Sequence, residues 1–273
     1  SLLIETRAPK RTLILGPTYS EYSRELSFSG STQDYYHLQE AEDFELDVED
    51  LCRTLLNGYD FLILCNPNNP TSSAILKDEM RALLSFCANR DIFVMIDETY
   101  VEFAPSVQEV TAVPYTKEFS NLMVLRGVSK FYAAPGMRFG YGITGNKEFL
   151  SQMKEKQIPW SLNSLGAYAG EQMFKDTSYI RQTRALILTE RDRMFLELKK
   201  MSSFKVYFPY GNFILVKILK PEVTSFDVFE ACIKEGLMIR DCSSFQCLDG
   251  EFIRFCIMKP EDNNRLLKVL KTI

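Results

Sequence analysis

One lysine in this 273-residue sequence lies in a setting that suits covalent chemistry. Lys130 follows an apolar run, with Ser129 before it and an aromatic pair, beginning at Phe131, after it. A lysine among so many apolar groups either extends its amine to the surface or is held inside for chemistry. A lysine amine that is kept unprotonated is a nucleophile. Arg138, beside a Pro-Gly turn, is a nearby candidate ligand for an anion.

Two earlier apolar runs also end in polar side chains. The run over 61–65 leads to Asn69, and the run over 92–96 ends at Asp97. A helical pattern separates the two runs, and this alternation predicts an α/β fold with a mainly parallel sheet. Ligands bind at the carboxyl ends of such strands. We therefore expect Asn69, Asp97 and Lys130 to face one site.

Together these groups meet the chemical needs of pyridoxal 5'-phosphate. The cofactor aldehyde needs a lysine, and its ring nitrogen needs a carboxylate that keeps it protonated. Lys130 and Asp97 could fill these two roles. Asn69 and Tyr100 offer hydrogen bonds to the phenolic oxygen.

The cofactor phosphate would need a hydroxyl and a cation. Ser129 and Arg138 supply this pair, and the guanidinium fork suits a phosphate geometrically. Each motif also has an ordinary structural interpretation. The Asn-Pro-Asn-Asn-Pro segment is a typical turn, Asp97 could cap a helix, and Arg138 could form a surface ion pair. The combination of all the motifs in this order favours the cofactor site.

After Gly142 the pattern changes and predicts a second, smaller unit. A long amphipathic helix over about 179–201 leads to short strands and two helices, as in an α+β domain. We therefore predict a large domain over residues 1–180 and a small C-terminal domain over residues 181–273.

The composition argues against several other functions. The net charge is −4 with the two signs well mixed, and no apolar run is long enough to span a membrane. His37 is the single histidine, and the seven cysteines form no CxxC pair. A zinc site, a Ser-His-Asp hydrolase, a nucleic-acid partner and a membrane partner are thus not expected. The scattered, odd number of cysteines favours a reduced, cytoplasmic protein.

The motifs resemble those of class I/II aminotransferases with the pyridoxal-phosphate fold type I. The resemblance rests on Asn66-Pro-Asn-Asn-Pro-Thr71, Asp97-Glu-Thr-Tyr100, Ser129-Lys130 and Gly136-Met-Arg138-Phe-Gly140-Tyr141. It extends over nearly the whole chain and is strongest to the branch that contains threonine-phosphate decarboxylase and histidinol-phosphate aminotransferase. It implies a seven-stranded type of sheet, mainly parallel, and a homodimer with cofactor sites at the subunit interface.

The resemblance also assigns roles to individual residues. It implies that Lys130 bonds to the cofactor aldehyde and that Asp97 pairs with the ring nitrogen. Tyr19 would lie against the cofactor ring. Arg254 matches the arginine that binds the substrate α-carboxylate, and Arg240 matches one that reaches the substrate's own phosphate. The remaining implied positions are Asn69 and Tyr100 at the phenolic oxygen, Ser129 and Arg138 at the cofactor phosphate, and Asn163 among the substrate-binding residues.

Two reactions remain open within this branch. The stretches Lys130–Gly136 and Gln157–Asn163 are more similar to threonine-phosphate decarboxylase than to histidinol-phosphate aminotransferase. The decarboxylase, which makes aminopropanol phosphate for the cobalamin side chain, is therefore the preferred prediction. The aminotransferase is the alternative. The order and types of the residues do not by themselves decide between loss of the α-proton and loss of the α-carboxylate.

The sequence also departs from the family pattern. Ser72 replaces a turn glycine, and Gly127 stands where many relatives carry a hydroxyl residue. The N-terminal arm and the glycine-rich turn that binds phosphate at a helix N-terminus are not found. We therefore expect either a part of a longer protein or a truncated, catalytically silent chain. A nucleotide-binding domain is a weaker alternative, because no GxGxxG follows the first strand.

Overall fold

The computed structural model describes all 273 residues, and its strands form two separate sheets. The strands of the larger sheet are β1 (Arg11–Gly16), β2 (Thr32–His37), β3 (Phe61–Cys65), β4 (Phe93–Asp97), β5 (Leu122–Gly127) and β6 (Gly140–Ile143). Their order across the sheet is β2-β1-β3-β4-β5-β6. Strands β1 to β5 are parallel and β6 is antiparallel to β5. The predicted mainly parallel sheet is confirmed. It has six strands, whereas the resemblance implied the seven-stranded type, and no strand pairs with the outer edge of β6.

Helices cover both faces of the sheet and continue into the second half of the chain. They are α1 (Leu2–Arg7), α2 (Glu21–Ser29), α3 (Val48–Leu55), α4 (Lys77–Ala88), α5 (Val107–Val110), α6 (Lys147–Lys156), α7 (Ser164–Lys175), α8 (Thr177–Leu198), α9 (Ser225–Lys234) and α10 (Pro260–Leu270). Helix α3 begins at an N-cap, Asp47, whose side chain accepts a 2.9 Å hydrogen bond from the amide of Asp50. No helix is both long and apolar enough to cross a bilayer.

Strand β3 shows how the apolar runs build the larger sheet. All five of its residues are buried. Successive side chains of a strand point to opposite faces, and here Leu62 and Leu64 enter one hydrophobic core while Phe61 and Ile63 enter another. Each fully buried aliphatic or aromatic side chain of this kind contributes about 1.5–3 kcal/mol. A strand buried on both faces has a continuous apolar run, which is why this strand was readily found in the sequence.

The second half of the chain forms the smaller sheet. Its strands are β7 (Phe204–Val206), β8 (Phe213–Ile218), β9 (Arg240–Asp241) and β10 (Phe252–Cys256), in the antiparallel order β7-β8-β10-β9. Helix α8 leads into it, near the predicted position. Phe252 and Tyr207 pack on Phe44, with ring centroids 6.1 and 5.0 Å away. The two sheets thus share part of a core, and a domain boundary after residue 180 stays a prediction.

Candidate active site

The carboxyl ends of the parallel strands open into a cavity of about 310 Å³. Eight of the ten residues predicted for the site line it: Tyr19, Asn69, Asp97, Tyr100, Ser129, Lys130, Arg138 and Arg254. They come from the ends of β1, β3, β4 and β5, from the turn that follows β5, and from β10. The fold therefore brings together side chains that are up to 235 residues apart in the sequence. Such a site is expected where the carboxyl ends of parallel strands meet.

Asp97 is the most firmly held group in the cavity. Its Oδ2 accepts a 2.7 Å hydrogen bond from Tyr22 Oη, and its Oδ1 accepts bonds from the amide and the hydroxyl of Thr99, at 2.9 and 2.5 Å. Burial, and then the charge of Asp97, raises the pKa of Tyr22 well above its usual range. The phenol therefore stays protonated and remains a donor to the carboxylate.

Tyr22 and Thr99 are the functional residues that sequence reasoning missed. Tyr22 lies in the same segment as Tyr19, in the first turn of α2, and its ring contacts that of Tyr19 edge to face at 5.8 Å. Thr99 lies two residues after Asp97, the spacing at which an aspartate side chain accepts a hydrogen bond from a backbone amide. That spacing was visible in the sequence. The contact between Tyr22 and Asp97 was not, because it joins residues on different elements.

The loop that carries Asn69 is held by its other asparagines. Asn66 bonds through its side chain to the backbone of Ile75 and Val110, at 2.8–3.0 Å. Asn68 donates to Pro17 O at 2.8 Å and accepts from the Thr18 hydroxyl at 2.9 Å. These contacts fix the loop after β3 to the loop after β1, so the Asn-Pro-Asn-Asn-Pro segment is more than an ordinary turn.

Asn69 itself is buried and meets a residue of the smaller sheet. Its Oδ1 accepts a hydrogen bond from Arg254 Nη1. The Arg254 guanidinium also lies over the Phe213 ring, 5.0 Å from the centroid. Arg254 Nε is buried and has no hydrogen-bond partner. A buried donor without an acceptor is costly, so this nitrogen fits an anionic ligand in the cavity.

Lys130, Ser129 and Arg138 lie at the open side of the cavity. Lys130 is exposed and its amine makes no hydrogen bond or ion pair with the protein, so the amine is free to react with a ligand. Arg138 is also exposed and uses one nitrogen to donate to Pro135 O at 3.1 Å. Its other guanidinium donors remain available for an anion beside the Ser129 hydroxyl.

Gly127 has a structural reason in this chain. It pairs with Gly140 where β5 and β6 meet. A Cβ atom at Gly127 would lie 3.3 Å from Phe139 O, which is tighter than ordinary contact. The close approach of β5 and β6 therefore leaves little room for a side chain at Gly127.

Tyr100 is buried next to the cavity, and its ring lies edge to face on Phe213 at 4.9 Å. Burial raises its pKa, so its hydroxyl stays a hydrogen-bond donor at neutral pH. Arg240 does not line the cavity. It lines a neighbouring cavity of about 270 Å³ that shares Tyr19, Asn69 and Arg254 with the first, and it donates to Ser244 Oγ at 2.8 Å.

Asn163 is the one predicted site residue that the structure leaves away from both cavities. Its Oδ1 accepts from the amides of Leu165 and Gly166, at 3.1 and 3.2 Å, and so caps the N-terminus of α7. Its amide nitrogen donates to Met137 O at 3.3 Å. The side chain is therefore occupied within the protein, and its substrate role stays a prediction.

The donor set fits pyridoxal phosphate group by group. One free amine, one carboxylate held by three donors, an amide and a phenol line the same cavity as a hydroxyl and a guanidinium. The cofactor has an aldehyde, a ring nitrogen, a phenolic oxygen and a phosphate, and these groups need that set. The buried, unpartnered Arg254 Nε adds a place for a further anion, such as a substrate carboxylate.

Comparison with known proteins gives a consistent result. Residues 3–270 match the family model described as aminotransferase class I and II. A Caldanaerobacter subterraneus subsp. tengcongensis protein, provisionally named threonine-phosphate decarboxylase, is 34% identical over 262 residues, which cover 96% of this chain and 70% of that protein. A Methanococcus aeolicus protein named histidinol-phosphate aminotransferase is 30% identical over 257 residues, 94% of this chain and 67% of that protein.

A solved structure agrees at the level of the fold. The histidinol-phosphate aminotransferase from Clostridium acetobutylicum superposes with a TM-score of 0.92 and 32% sequence identity. The match covers 99% of this chain and 80% of that one. Both sheets and their connection are thus similar to those of that enzyme.

Proposed function

Because the chain belongs to the class I and II aminotransferase family, we propose that it is a pyridoxal-phosphate enzyme that acts on a phosphorylated amino acid. Our first candidate reaction is the decarboxylation of threonine phosphate, whose product, aminopropanol phosphate, is used to make the cobalamin side chain. The observation that carries the proposal is that Lys130 and Asp97 share one cavity with Asn69 and Arg254. These four residues suit the aldehyde, the ring nitrogen, the phenolic oxygen and a substrate carboxylate.

Each residue has a defined task in this proposal. When bound, pyridoxal phosphate supplies a ring that stabilises negative charge at the substrate Cα. Asp97, held by Tyr22 and Thr99, keeps a proton on the ring nitrogen. Lys130 is the one lysine that lines the cavity, so its Nζ would hold the cofactor aldehyde and, when free, would move a proton at the substrate Cα.

The substrate is held by the arginines of the smaller sheet. Arg254 and Arg240 are register partners on β10 and β9, so they lie side by side. Arg254, with its unpartnered Nε, binds the α-carboxylate. Arg240, in the neighbouring cavity, binds the substrate phosphate. Two neighbouring cations, one in the cavity of Lys130 and one in the adjoining cavity, favour a substrate that carries two anionic groups.

A transaminase is the second candidate function. It is supported by relatives named histidinol-phosphate aminotransferase, one of which has a solved structure that is 32% identical to this chain. In that reaction, Lys130 Nζ would take the proton from the substrate Cα. In the decarboxylation, the bond from Cα to the carboxylate would break with release of carbon dioxide, and protonated Lys130 Nζ would give a proton to Cα.

The cofactor is tested first with purified protein. Added pyridoxal phosphate should give a visible absorption band, and Lys130→Ala should lack it. Lys154→Ala, at another lysine on helix α6, is the matched control and should keep the band. A wild-type protein that stays colourless would contradict the proposal and favour the catalytically silent chain.

The reaction is tested next with the loaded protein. Carbon dioxide released from threonine phosphate supports the decarboxylase. Conversion of histidinol phosphate with 2-oxoglutarate, without release of gas, would replace it with the aminotransferase. Both assays need the same preparation, so a negative result in one is checked by the other.

We also propose a homodimer in the cytoplasm. A stretch of chain between helices α6 and α7 exposes large apolar side chains, with Trp160 98% and Ile158 76% accessible. Exposed apolar patches of this kind mark protein interfaces. The seven cysteines are all unpaired, as is usual in a reducing compartment.

A further inference from the structure

A buried ion pair lies directly behind the candidate active site. Glu98 is fully buried, and its Oε2 accepts from Arg126 Nε and Nη2 at 2.9 and 2.7 Å. The same carboxylate accepts from the amide of Ala112 at 2.5 Å and from the Thr111 hydroxyl at 2.9 Å. All of its partners are protein donors, and it does not line the cavity.

The pair joins the two strands that carry the reactive groups. Glu98 is the residue after Asp97, at the end of β4, and Arg126 is four residues before Lys130, in β5. The two strand ends are also joined through the backbone, where the amide of Glu98 donates to Leu125 O at 2.8 Å. Consecutive side chains alternate in direction, so Asp97 faces the cavity while Glu98 faces away from it.

We infer that the Glu98–Arg126 ion pair is a positioning clamp, which fixes Asp97 relative to Lys130. The inference rests on the proposed function, because it concerns the placement of the two groups that hold the cofactor ring and aldehyde. Neither Glu98 nor Arg126 touches the cavity, so both act through their neighbours.

A role in stability alone explains the pair less well. A buried ion pair often adds no more stability than apolar side chains of similar volume. The pair also fixes the relative positions of the segments around it. Arg126 Nη2 donates to the Thr111 hydroxyl at 2.8 Å as well, so three segments of the chain meet at the Glu98 carboxylate. Burial works against the charge on Glu98, raising its pKa, and Arg126 opposes that shift.

The first experiment compares Arg126→Met, Arg126→Lys and Glu98→Gln with the wild-type protein. Arg126→Met should weaken pyridoxal phosphate binding by about tenfold and shift the pH at which the visible band changes. Arg126→Lys keeps the charge and should recover part of both effects. Glu190→Gln is the matched control. Glu190 is also a buried carboxylate, it lies 2.6 Å from Arg193 Nη2, and it does not line the cavity.

A double variant separates positioning from stability. Glu98→Leu with Arg126→Met replaces the pair by apolar groups of similar size and leaves neither charge of the pair buried alone, so its thermal midpoint should lie above that of Arg126→Met. The clamp predicts that cofactor affinity and the pH profile remain altered in this variant. Their full recovery together with this rise in the midpoint would overturn it.

A measurement without cofactor keeps the two proposals distinct. Amide hydrogen exchange at Thr99 and Val128, on either side of the clamp, should speed up together in Arg126→Met and stay unchanged in Glu190→Gln. Unchanged exchange at both amides in Arg126→Met would overturn the clamp. If the wild-type protein forms no visible band with the cofactor while Arg126→Met still shows this coupled exchange, the proposed function is refuted and the clamp remains.

Discussion

Tyr22 donates a 2.7 Å hydrogen bond to Asp97 across 75 residues of sequence. The bond brings helix α2, which follows the first strand, onto the end of β4. It completes the set of donors around Asp97 and leaves Tyr19, on the neighbouring turn, to face the cavity. The position of the carboxylate is therefore set by the protein before any ligand binds.

The raised pKa of Tyr22 predicts how stability depends on alkaline pH. An unfolded tyrosine loses its proton near pH 10, whereas Tyr22 in the folded protein keeps it to a higher pH. Stability from this phenol is therefore fully present below about pH 10 and is lost as the pH rises toward the folded-state pKa. In Tyr22→Phe, the slope of unfolding free energy against pH above pH 10 should be smaller by up to about 1.4 kcal/mol per pH unit.

Urea unfolding of cofactor-free protein between pH 9 and 11 measures this slope. Tyr168→Phe is the control, because Tyr168 is exposed and its loss should leave the slope unchanged. Equal slopes in the wild type and in Tyr22→Phe would contradict the prediction.

Much of the site was predictable because each buried strand is an apolar run whose end is marked in the sequence by polar residues. Asn69, Asp97 and Lys130 each follow an apolar run, and the parallel sheet places these ends at one edge. Tyr22 was not predictable in its role, since a side-chain contact between distant elements leaves no periodic pattern. For Asn163, the resemblance to the family suggested substrate binding, whereas in the structure its side chain caps α7. The smaller sheet was harder to predict from the sequence, because its strand Arg240–Asp241 has only two residues and shows no pattern.

Arg254 should be sensitive to a change that keeps its charge. Lysine lacks the planar fork, so Arg254→Lys loses the geometry that serves both Asn69 and an anion. We expect the KM for the substrate to rise by about tenfold to a hundredfold, with a smaller change in kcat. Steady-state kinetics of the loaded protein measure both parameters. Arg193→Lys, on α8, is the control, and an unchanged KM in Arg254→Lys would argue against the carboxylate role.

Asn163 allows a test between helix capping and substrate binding. Aspartate can accept the same two amide hydrogen bonds, so Asn163→Asp should keep its stability. Asn163→Ala removes the acceptor and should lose about 1 kcal/mol. If capping is the whole role, KM follows the wild type in both variants. A raised KM in Asn163→Asp, with normal stability, would restore the substrate role that its sequence motif suggests.

The exposed apolar side chains between α6 and the first turn of α7 predict the assembly state. Trp160 and Leu165 are 98% and 75% accessible, so replacing both with serine removes little packing within the chain. The wild-type protein should sediment as a dimer, and Trp160→Ser with Leu165→Ser should shift it toward monomers with little change in circular dichroism. Phe28→Ser is the control, since Phe28 is 74% accessible but lies on α2, apart from this stretch. A dimer that persists in the double variant would place the interface elsewhere, and a wild-type monomer would refute the dimer.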